Sequence, residues 1–205
     1  MIALCGSNRG DARHELCCHI PKSSLHALIG TLQDWGWVET DSSGRRFGLG
    51  VRALLVGTSY VDSDDIVAAT RDALDWLSET VGETVHLGRL DGPDIVYLAK
   101  RESTHPLRLF SAIGRRLPAH ATALGKVLLA ERTEAELDRI LPETLARLSD
   151  NTITDRAALR KELDRTRRRG WARDNQENAT GIRCLAVAVG GGNPPFNAIA
   201  ARSRS

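Results

Sequence analysis

The sequence predicts an α+β protein, and three observations support this class. The first is an apolar helical face made by Leu25, Leu28, Ile29 and Leu32. The second is a pair of short strands on either side of the polar turn 41–44. The third lies downstream of Gly82, where alternating apolar and polar residues interrupt the helical spacing. A helix followed at once by a short hairpin outlines a winged helix, so the chain should begin with such a unit and continue into a mixed region.

The composition excludes several classes of protein. Hydrophobic residues make up 41% of the 205 residues, which is enough for a core. Lys and Arg number 28 against 26 Asp and Glu, which excludes a polycationic histone-like protein but not local DNA contacts. The four cysteines suggest no disulfide framework. With no secretion signal or membrane span recognised, we expect a cytoplasmic protein without a membrane partner.

The first half of the chain is predicted to be mainly helical. Pro21 suits the first turn of a helix that Gly36 ends. After the hairpin, the apolar spacing of residues 51–61 predicts another helix. A longer helix is expected over 64–81, with Ser63 as its N-cap and Gly82 after its end.

The second half alternates strands and helices. Strands are expected at 85–87, 95–99, 107–113, 171–173 and 182–189. Helices are expected over 121–130, after a capping box formed by Thr133 and Glu136, and from Thr154 to the basic run 165–169.

Two blocks of sequence resemble the IclR family of bacterial transcriptional regulators. Residues 20–39 (IPKSSLHALIGTLQDWGWVE), closing with FGLG at 47–50, are similar to the recognition helix and wing of that family. The second block resembles the effector-domain signatures in the order in which the family has them. Its segments are GETVHL at 82–87, GRRLPAHATALGK at 114–126, RGWARD at 169–174 and GIRC at 181–184.

This resemblance implies a domain organisation and a function. Residues 1–50 would form a partial winged helix-turn-helix, 51–62 a linker helix, and 63–205 an effector domain. The effector domain would have a GAF-like, curved antiparallel sheet flanked by helices. The protein would bind double-stranded operator DNA as a homodimer or homotetramer and would respond to a small organic acid or aromatic metabolite.

Both ends depart from the family pattern. The family has about two helices before the recognition helix, whereas 19 residues precede Ile20 here. The segment 190–195 (GGGNPP) interrupts the region where the family has a serine-containing strand and a terminal helix. We therefore expect altered or truncated ends, an incomplete effector domain and impaired DNA binding. The alternative is an effector-binding or dimerisation module that no longer binds DNA.

The candidate DNA contacts lie on the expected recognition helix and wing. They are Lys22, Ser23, Ser24 and His26 on the helix and Arg45 and Arg46 in the hairpin. Short hydroxyls and a lysine at a helix start suit phosphate contact and base readout. Arginines in a wing suit phosphate or minor-groove contact. The structural alternatives are an ordinary helix start and a solvated turn.

Other charged or metal-binding patterns are weaker. The basic run 165–169 lies in the last turn of a helix, where it complements the helix dipole, so we expect a solvated helix end. His14, Cys17, Cys18 and His19 lack the spacing of a tetrahedral metal site. We expect no metal and no cofactor.

The candidate effector-binding residues are Ala123, Leu124, Asp174 and Cys184, as the resemblance implies. The small residues at 121–126 would leave backbone N–H groups approachable by a carboxylate, and Gly125 would allow a close backbone approach. Ser203 is the nearest equivalent of the family's pocket serines, without a clean match. An enzyme using Cys184 with His120 and Asp174 is the disfavoured alternative, so we expect no catalytic residues.

Overall fold

The computed structural model describes residues 21–44, 46–103, 111–190 and 192–204, apart from the side chains of Lys22, Ser203 and Arg204. The chain divides into two compact units at the bond between Ser63 and Asp64. No helix within these described ranges is long and apolar enough to cross a membrane.

The described part of the first unit contains the predicted helix, hairpin and second helix. Its elements are α1 (Lys22–Asp34), β1 (Val38–Thr40), β2 (Phe47–Leu49) and α2 (Val51–Asp62). Pro21 is the N-cap of α1 rather than a first-turn residue, and Gly36 follows the helix with φ +69°. The strands pair antiparallel. A Cβ on Gly50 would lie 2.2 Å from the carbonyl oxygen of Gly36, so glycine allows the hairpin to close against the helix end.

The apolar residues of this unit are unevenly buried. Of the predicted helical face, Ile29 is 8% exposed, whereas Leu28 is 51% and Leu32 is 40% exposed. Helix α2 has no buried residue and exposes Leu54 and Leu55. Both helices therefore present apolar surface.

The second unit opens with two helices where the sequence predicted one. They are α3 (Asp65–Ala69) and α4 (Arg71–Val81), separated at Thr70. The prediction that Ser63 is the N-cap is wrong. The N-cap of α3 is Asp64, whose carboxylate accepts a hydrogen bond from the N–H of Ile66 at 3.1 Å. The prediction that Gly82 ends the second helix is confirmed by its φ of +66°.

A six-stranded antiparallel sheet forms the centre of this unit, with the order β5-β4-β3-β8-β7-β6. The strands are β3 (Val85–Asp91), β4 (Asp94–Arg101), β5 (Arg116–Pro118), β6 (Ala172–Asn175), β7 (Ile182–Val189) and β8 (Asn197–Arg204). The prediction of a strand over 107–113 is wrong for residues 111–113, which are not part of any β-strand. Residues 107–110 lie outside the described residues. The sequence analysis also missed β8, which lies between β3 and β7.

Helices cover the two faces of the sheet. A single 3₁₀ turn (Ala119–Ala121) leads into α5 (Ala123–Leu129), followed by α6 (Glu134–Ile140) and α7 (Arg156–Arg169). Leu128, Leu137 and Leu159 join one core, while Leu74 of α4 packs with strand residues in the other. Neighbouring β8 residues Ile199 and Ala200 belong to different cores, because successive side chains point to opposite faces of a strand.

Two helix starts in this unit test the predicted caps. The capping box of Thr133 and Glu136 is confirmed, with both reciprocal hydrogen bonds present. Helix α7 begins one residue later than expected, because the Asp155 carboxylate, rather than Thr154, accepts from the N–H of Ala158 at 2.6 Å.

Candidate functional site

The second unit contains a cavity of about 130 Å³ between the start of α5 and the sheet. All four predicted effector-binding residues line it: Ala123, Leu124, Asp174 and Cys184. They are up to 61 positions apart in the sequence, and the packing of α5 on β6 and β7 brings them to one wall. The structure thus places them together, although their contact with a ligand stays a prediction.

The sheet register sets three of the lining residues side by side. Asp174 of β6 is opposite Cys184 of β7, and Cys184 is opposite Arg202 of β8. Residues opposite one another in an antiparallel ladder share a face of the sheet. The cavity wall therefore carries an acid, a thiol and a guanidinium across three adjacent strands.

The start of α5 differs in detail from the expected approachable helix end. The helix begins at Ala123, and the Thr122 hydroxyl already accepts from the N–H of Gly125 at 3.0 Å. The first N–H groups, those of Ala123 and Leu124, have no intrahelical acceptor. The close approach predicted at Gly125 is present, since a Cβ there would lie 2.1 Å from the carbonyl oxygen of Ala119.

Asp174 is a buried acid, 3% exposed. One of its carboxylate oxygens accepts from the backbone N–H of Glu177 at 2.7 Å. Burial raises the pKa of Asp174 to about 6, and the nearby charge of Glu177 adds to the rise while Lys126 opposes it. Above a pH of about 6 the ionised carboxylate can accept a hydrogen bond from a ligand, and below that pH the protonated group can donate one.

A buried ion pair lies beside Asp174. The ammonium of Lys126, whose side chain is 1% exposed, lies 2.5 Å from a carboxylate oxygen of Glu177. This pair ties α5 to the turn after β6. Within the described chain the second carboxylate oxygen of Glu177 has no hydrogen-bond partner. Glu177 could not be predicted from the sequence as part of the site, because a glutamate in a loop normally occupies a solvated position.

An aromatic wall closes another side of the cavity. The rings of His86 and Tyr97 stack with centroids 4.3 Å apart, and His86 Nε2 lies 2.9 Å from the Ser111 hydroxyl oxygen. Burial lowers the pKa of His86 to about 4, with a further contribution from Lys100. Burial also raises the pKa of Tyr97. Both rings are therefore uncharged near neutral pH and offer a flat, weakly polar surface.

Two arginines, Arg115 and Arg202, also line the cavity, and the sequence analysis named neither as a candidate. The side chain of the neighbouring Ser203, the nearest equivalent of the family's pocket serines, lies outside the described residues. Arg202 could have been predicted from the two-residue period of a strand over 198–202, which places Ala200 and Arg202 on the same face of the sheet.

The contacts of Cys184 and His120 with other described residues do not favour a nucleophile–base pair. Burial raises the pKa of Cys184 to about 12, so its thiol is protonated and poorly nucleophilic. His120 is buried, and its Nε2 lies 3.0 Å from the carbonyl oxygen of Ala146. Cys184 and Asp174 line the cavity, whereas His120 is not one of the lining residues described. Such a wall can bind a ligand but is poorly suited to covalent catalysis.

The candidate DNA-binding residues lie in the first unit. Ser23, Ser24 and His26 are exposed on α1, and Arg46 is exposed immediately before β2. Lys22 begins α1, but its side chain lies outside the described residues, as does Arg45. Contact between these residues and DNA stays a prediction.

The basic run at the end of α7 is held by contacts within the second unit. Arg167 forms an ion pair with Asp164 at 2.9 Å and donates to the carbonyl oxygen of Ala130 at 2.7 Å. Arg169 pairs with Glu162 at 2.9 Å. These contacts favour the structural interpretation of the run over nucleic-acid binding.

The four N-terminal histidines and cysteines that lack the spacing of a metal site, His14, Cys17, Cys18 and His19, lie outside the described residues. Elsewhere, in the ranges that the structure covers, no three His, Cys, Asp or Glu residues form a group that could hold a metal ion.

Comparison with known proteins gives a consistent result. Residues 58–197 match the family model described as bacterial transcriptional regulator IclR C-terminal. The HTH-type transcriptional regulator XynR of Escherichia coli K12 is 41% identical over 171 residues, which are 83% of this chain and 68% of XynR. KdgR of the same organism is 36% identical over 169 residues, 82% of this chain and 64% of KdgR. These relatives are transcriptional regulators rather than enzymes.

Comparison with solved structures finds a similar fold in a regulator of the same family. The crystal structure of Thermotoga maritima IclR matches with a TM-score of 0.72 at 30% identity, covering 89% of this chain and 73% of that chain. The likeness supports the α+β architecture described above.

Proposed function

Because the chain belongs to the IclR family of bacterial transcriptional regulators, we propose that it is a DNA-binding regulator whose second unit senses a small organic acid or aromatic metabolite. The observation that carries the proposal is the cavity that collects Ala123, Leu124, Asp174 and Cys184. A cavity lined by apolar side chains and a few convergent polar groups is typical of a small-molecule site.

The cavity volume limits the size of the ligand. At about 130 Å³ it is close to the roughly 150 Å³ of an engineered cavity that holds benzene. A ligand of about that size, such as a short-chain or single-ring acid, fits this space. The stacked rings of His86 and Tyr97 suit a planar group.

Operator DNA is the proposed partner of the first unit. The hydroxyls of Ser23 and Ser24 and the ring of His26 are exposed on α1, where a recognition helix would meet base edges and phosphates. Arg46, with Lys22 and Arg45, would add phosphate contacts. We also propose that the regulator is a homo-oligomer, since α2 exposes Leu54 and Leu55.

The proposed mechanism is thermodynamic linkage. A ligand that binds one arrangement of paired DNA-binding units better than another shifts the affinity for the operator by that difference in binding free energy and by no more. One feature that could carry the response to the ligand is the set of hydrogen bonds that Arg89 donates to Asp64, at the start of the second unit. Its carboxylate accepts two hydrogen bonds from Arg89, at 2.6 and 3.0 Å, and Arg89 also donates to Asn197 at 2.9 Å.

An electrophoretic mobility shift with DNA from upstream of the gene tests the proposal. We expect a retarded complex whose salt dependence reflects phosphate contacts, and whose affinity changes when the ligand is added. The matched variant Ser24→Ala with His26→Ala should weaken the complex, whereas Arg168→Ala should not. Equal retardation of unrelated DNA, with no loss in the double variant, would contradict specific binding by α1.

A second candidate is a ligand-binding or dimerisation module that does not bind DNA. It is favoured by the exposure of Leu28 and Leu32 on α1, because a helix that leaves its apolar face open is poorly fixed for recognition. Ligand binding in calorimetry without any retarded complex would select this candidate.

A further inference from the structure

Glu177 connects three parts of the second unit to the acid that lines the cavity. Its backbone N–H donates to a carboxylate oxygen of Asp174 at 2.7 Å. Its carbonyl oxygen accepts hydrogen bonds from the hydroxyls of Thr152 at 2.6 Å and Ser149 at 3.1 Å. Its own carboxylate lies 2.5 Å from the ammonium of Lys126 on α5. Because Glu177 is held at its side chain and on both sides of its backbone, it fixes the point at which Asp174 accepts its hydrogen bond.

The ion pair of Lys126 and Glu177 lies behind the cavity wall. The described lining of the cavity includes Asp174 but neither member of the pair. Lys126 is 1% exposed and Glu177 is 6% exposed, so both are shielded from solvent as well. A ligand in the cavity would contact Asp174, and the pair would influence that ligand through Asp174.

The pair is neutral as a whole, but its two members act on Asp174 in opposite directions. Burial is the largest influence on the pKa of Asp174 and raises it. The charge of Glu177 raises this pKa further, whereas the charge of Lys126 lowers it. Interactions between buried charges are strong because little water screens them. Two carboxylates and one ammonium share this space, so the balance among them decides how firmly Asp174 holds a proton.

Other titratable groups also face Asp174. Cys184 of β7 is its partner in the sheet register, and Tyr97 of β4 is near enough to interact with its charge. Burial raises the pKa of both groups, so the thiol and the phenol are uncharged near neutral pH. The remaining titratable or charged residues of the cavity lining are His86, Arg115 and Arg202. The charged groups that act most strongly on Asp174 are therefore those of the pair behind the wall.

We propose that Lys126 and Glu177 are positioning residues that set the charge of Asp174 and so determine which polar groups the cavity accepts. An ionised Asp174 accepts a hydrogen bond from a ligand donor, whereas a protonated Asp174 can donate one to a ligand acceptor. The pair thus selects the kind of ligand without contacting it. This assignment rests on the proposed ligand-sensing function of the second unit.

The test changes each member of the pair and follows the titration of the Asp174 carboxyl carbon by NMR, on the full chain without ligand. The spectrum of Asp174→Asn identifies the signal. Glu177→Gln removes the anion but keeps the backbone groups that hydrogen-bond to Asp174 and Thr152, so the titration reports the charge. The pKa of Asp174 should fall by about one pH unit or more. In Lys126→Met the cation is lost, so Asp174 should stay protonated to a pH that is higher by a similar amount.

A double variant and a distant variant are the controls. Lys126→Met combined with Glu177→Gln removes both charges, so the pKa of Asp174 should return to within about half a pH unit of its value in the unaltered protein. Glu143→Gln, at an exposed position of the same unit, should leave it unchanged.

The single variants also need a check on folding, because breaking a buried ion pair is destabilising. If circular dichroism shows that one of them is unfolded, sucrose is added equally to every sample to favour the folded state. Lys126→Gln then replaces Lys126→Met, since a glutamine amide can still donate to Glu177.

The outcomes separate this assignment from the proposed function. Opposite changes in the two single variants, with cancellation in the double variant, support it. An Asp174 titration that is the same in every variant, or that moves in the same direction in both single variants, overturns it. The titration needs neither ligand nor DNA. A chain that binds no metabolite and retards no DNA therefore loses the proposed function whatever the titration shows, and a ligand-dependent DNA complex keeps that function even when the titration does not move.

Discussion

At the scale of single residues, burial shifts the pKa values of polar groups that line the cavity. Asp174 lies beside Cys184 on the neighbouring strand, and Tyr97 and the pair of Lys126 and Glu177 are near enough to interact with it electrostatically. Desolvation is the largest influence on its carboxyl group and raises its pKa to about 6, against 3.8 for an ordinary aspartate. The group consequently disfavours the folded state when it is ionised.

The first prediction concerns Asp174→Asn. Because the folded pKa is raised, the unaltered carboxyl contributes relative stability below pH 3.8, and this contribution is lost as the pH rises through about 6. The variant should therefore gain on the unaltered protein by roughly 2 to 3 kcal/mol in unfolding free energy between acidic and neutral pH. Urea unfolding across this pH range measures the difference.

The control for this prediction is Asp150→Asn, at an exposed position in the same unit. The difference between this variant and the unaltered protein should not change appreciably with pH. A pH-independent difference for Asp174→Asn would show that the carboxyl is not strained by burial.

At the scale of secondary-structure elements, polar caps and close backbone contacts position the cavity and the start of the second unit. Asp64 has two roles, since it caps α3 and holds Arg89 of β3. Gly125 has one role, which is to let α5 lie against the turn that contains Ala119. Both roles can be tested against neighbouring or equivalent residues that lack them.

The second prediction is that Asp64→Ala destabilises the protein by about 2 to 4 kcal/mol, because it removes a helix cap and two charge-assisted hydrogen bonds. Ser63→Ala should cost less than about 0.5 kcal/mol, since the adjacent Ser63 is not the cap. Thermal and urea unfolding of the two variants distinguish them. Equal losses of unfolding free energy in the two variants would show that Ser63 also caps the helix.

The third prediction is that Gly125→Ala destabilises the protein by about 2 kcal/mol or more, because the new Cβ would meet the Ala119 backbone at 2.1 Å. Gly57→Ala in α2 is the control, since a Cβ there meets nothing within 4 Å. It should stabilise its helix by about 0.5 to 1 kcal/mol. Destabilisation by both variants to the same extent would show that the close approach at Gly125 is unimportant.

At the scale of the whole molecule, apolar surface on the first unit favours association. The α2 residues Leu54 and Leu55 are 64% and 58% exposed, and no residue of this helix is buried. Amphipathic helices of this kind gain stability when a second apolar surface covers them.

The fourth prediction is that the chain forms at least a dimer through α2. Leu54→Glu combined with Leu55→Glu should raise the dissociation constant by about tenfold or more, because charged groups at a buried interface are costly. Sedimentation velocity over a wide range of concentration measures this. Leu148→Glu, at an exposed leucine of the second unit, is the control. A monomeric unaltered chain at every concentration would contradict the prediction.

The sequence alone determined the features that depend on local patterns. Helical spacing, the turn at 41–44 and the capping box at Thr133 each use neighbouring residues, so their physical cause lies within a few positions. The family resemblance brought in Ala123, Leu124, Asp174 and Cys184, which the fold then placed on one cavity. These predictions needed no knowledge of how distant segments pair.

Only the tertiary structure decided what depends on pairing between distant segments. β8 was missed because its small and charged residues carry little strand signal, yet its position between β3 and β7 makes it central. That position brings Arg202 beside Cys184 and into the cavity. The burial of Lys126 with Glu177, 51 residues away, is likewise invisible to local patterns. The chemical character of the site follows from the sheet register, because register determines which side chains share a wall.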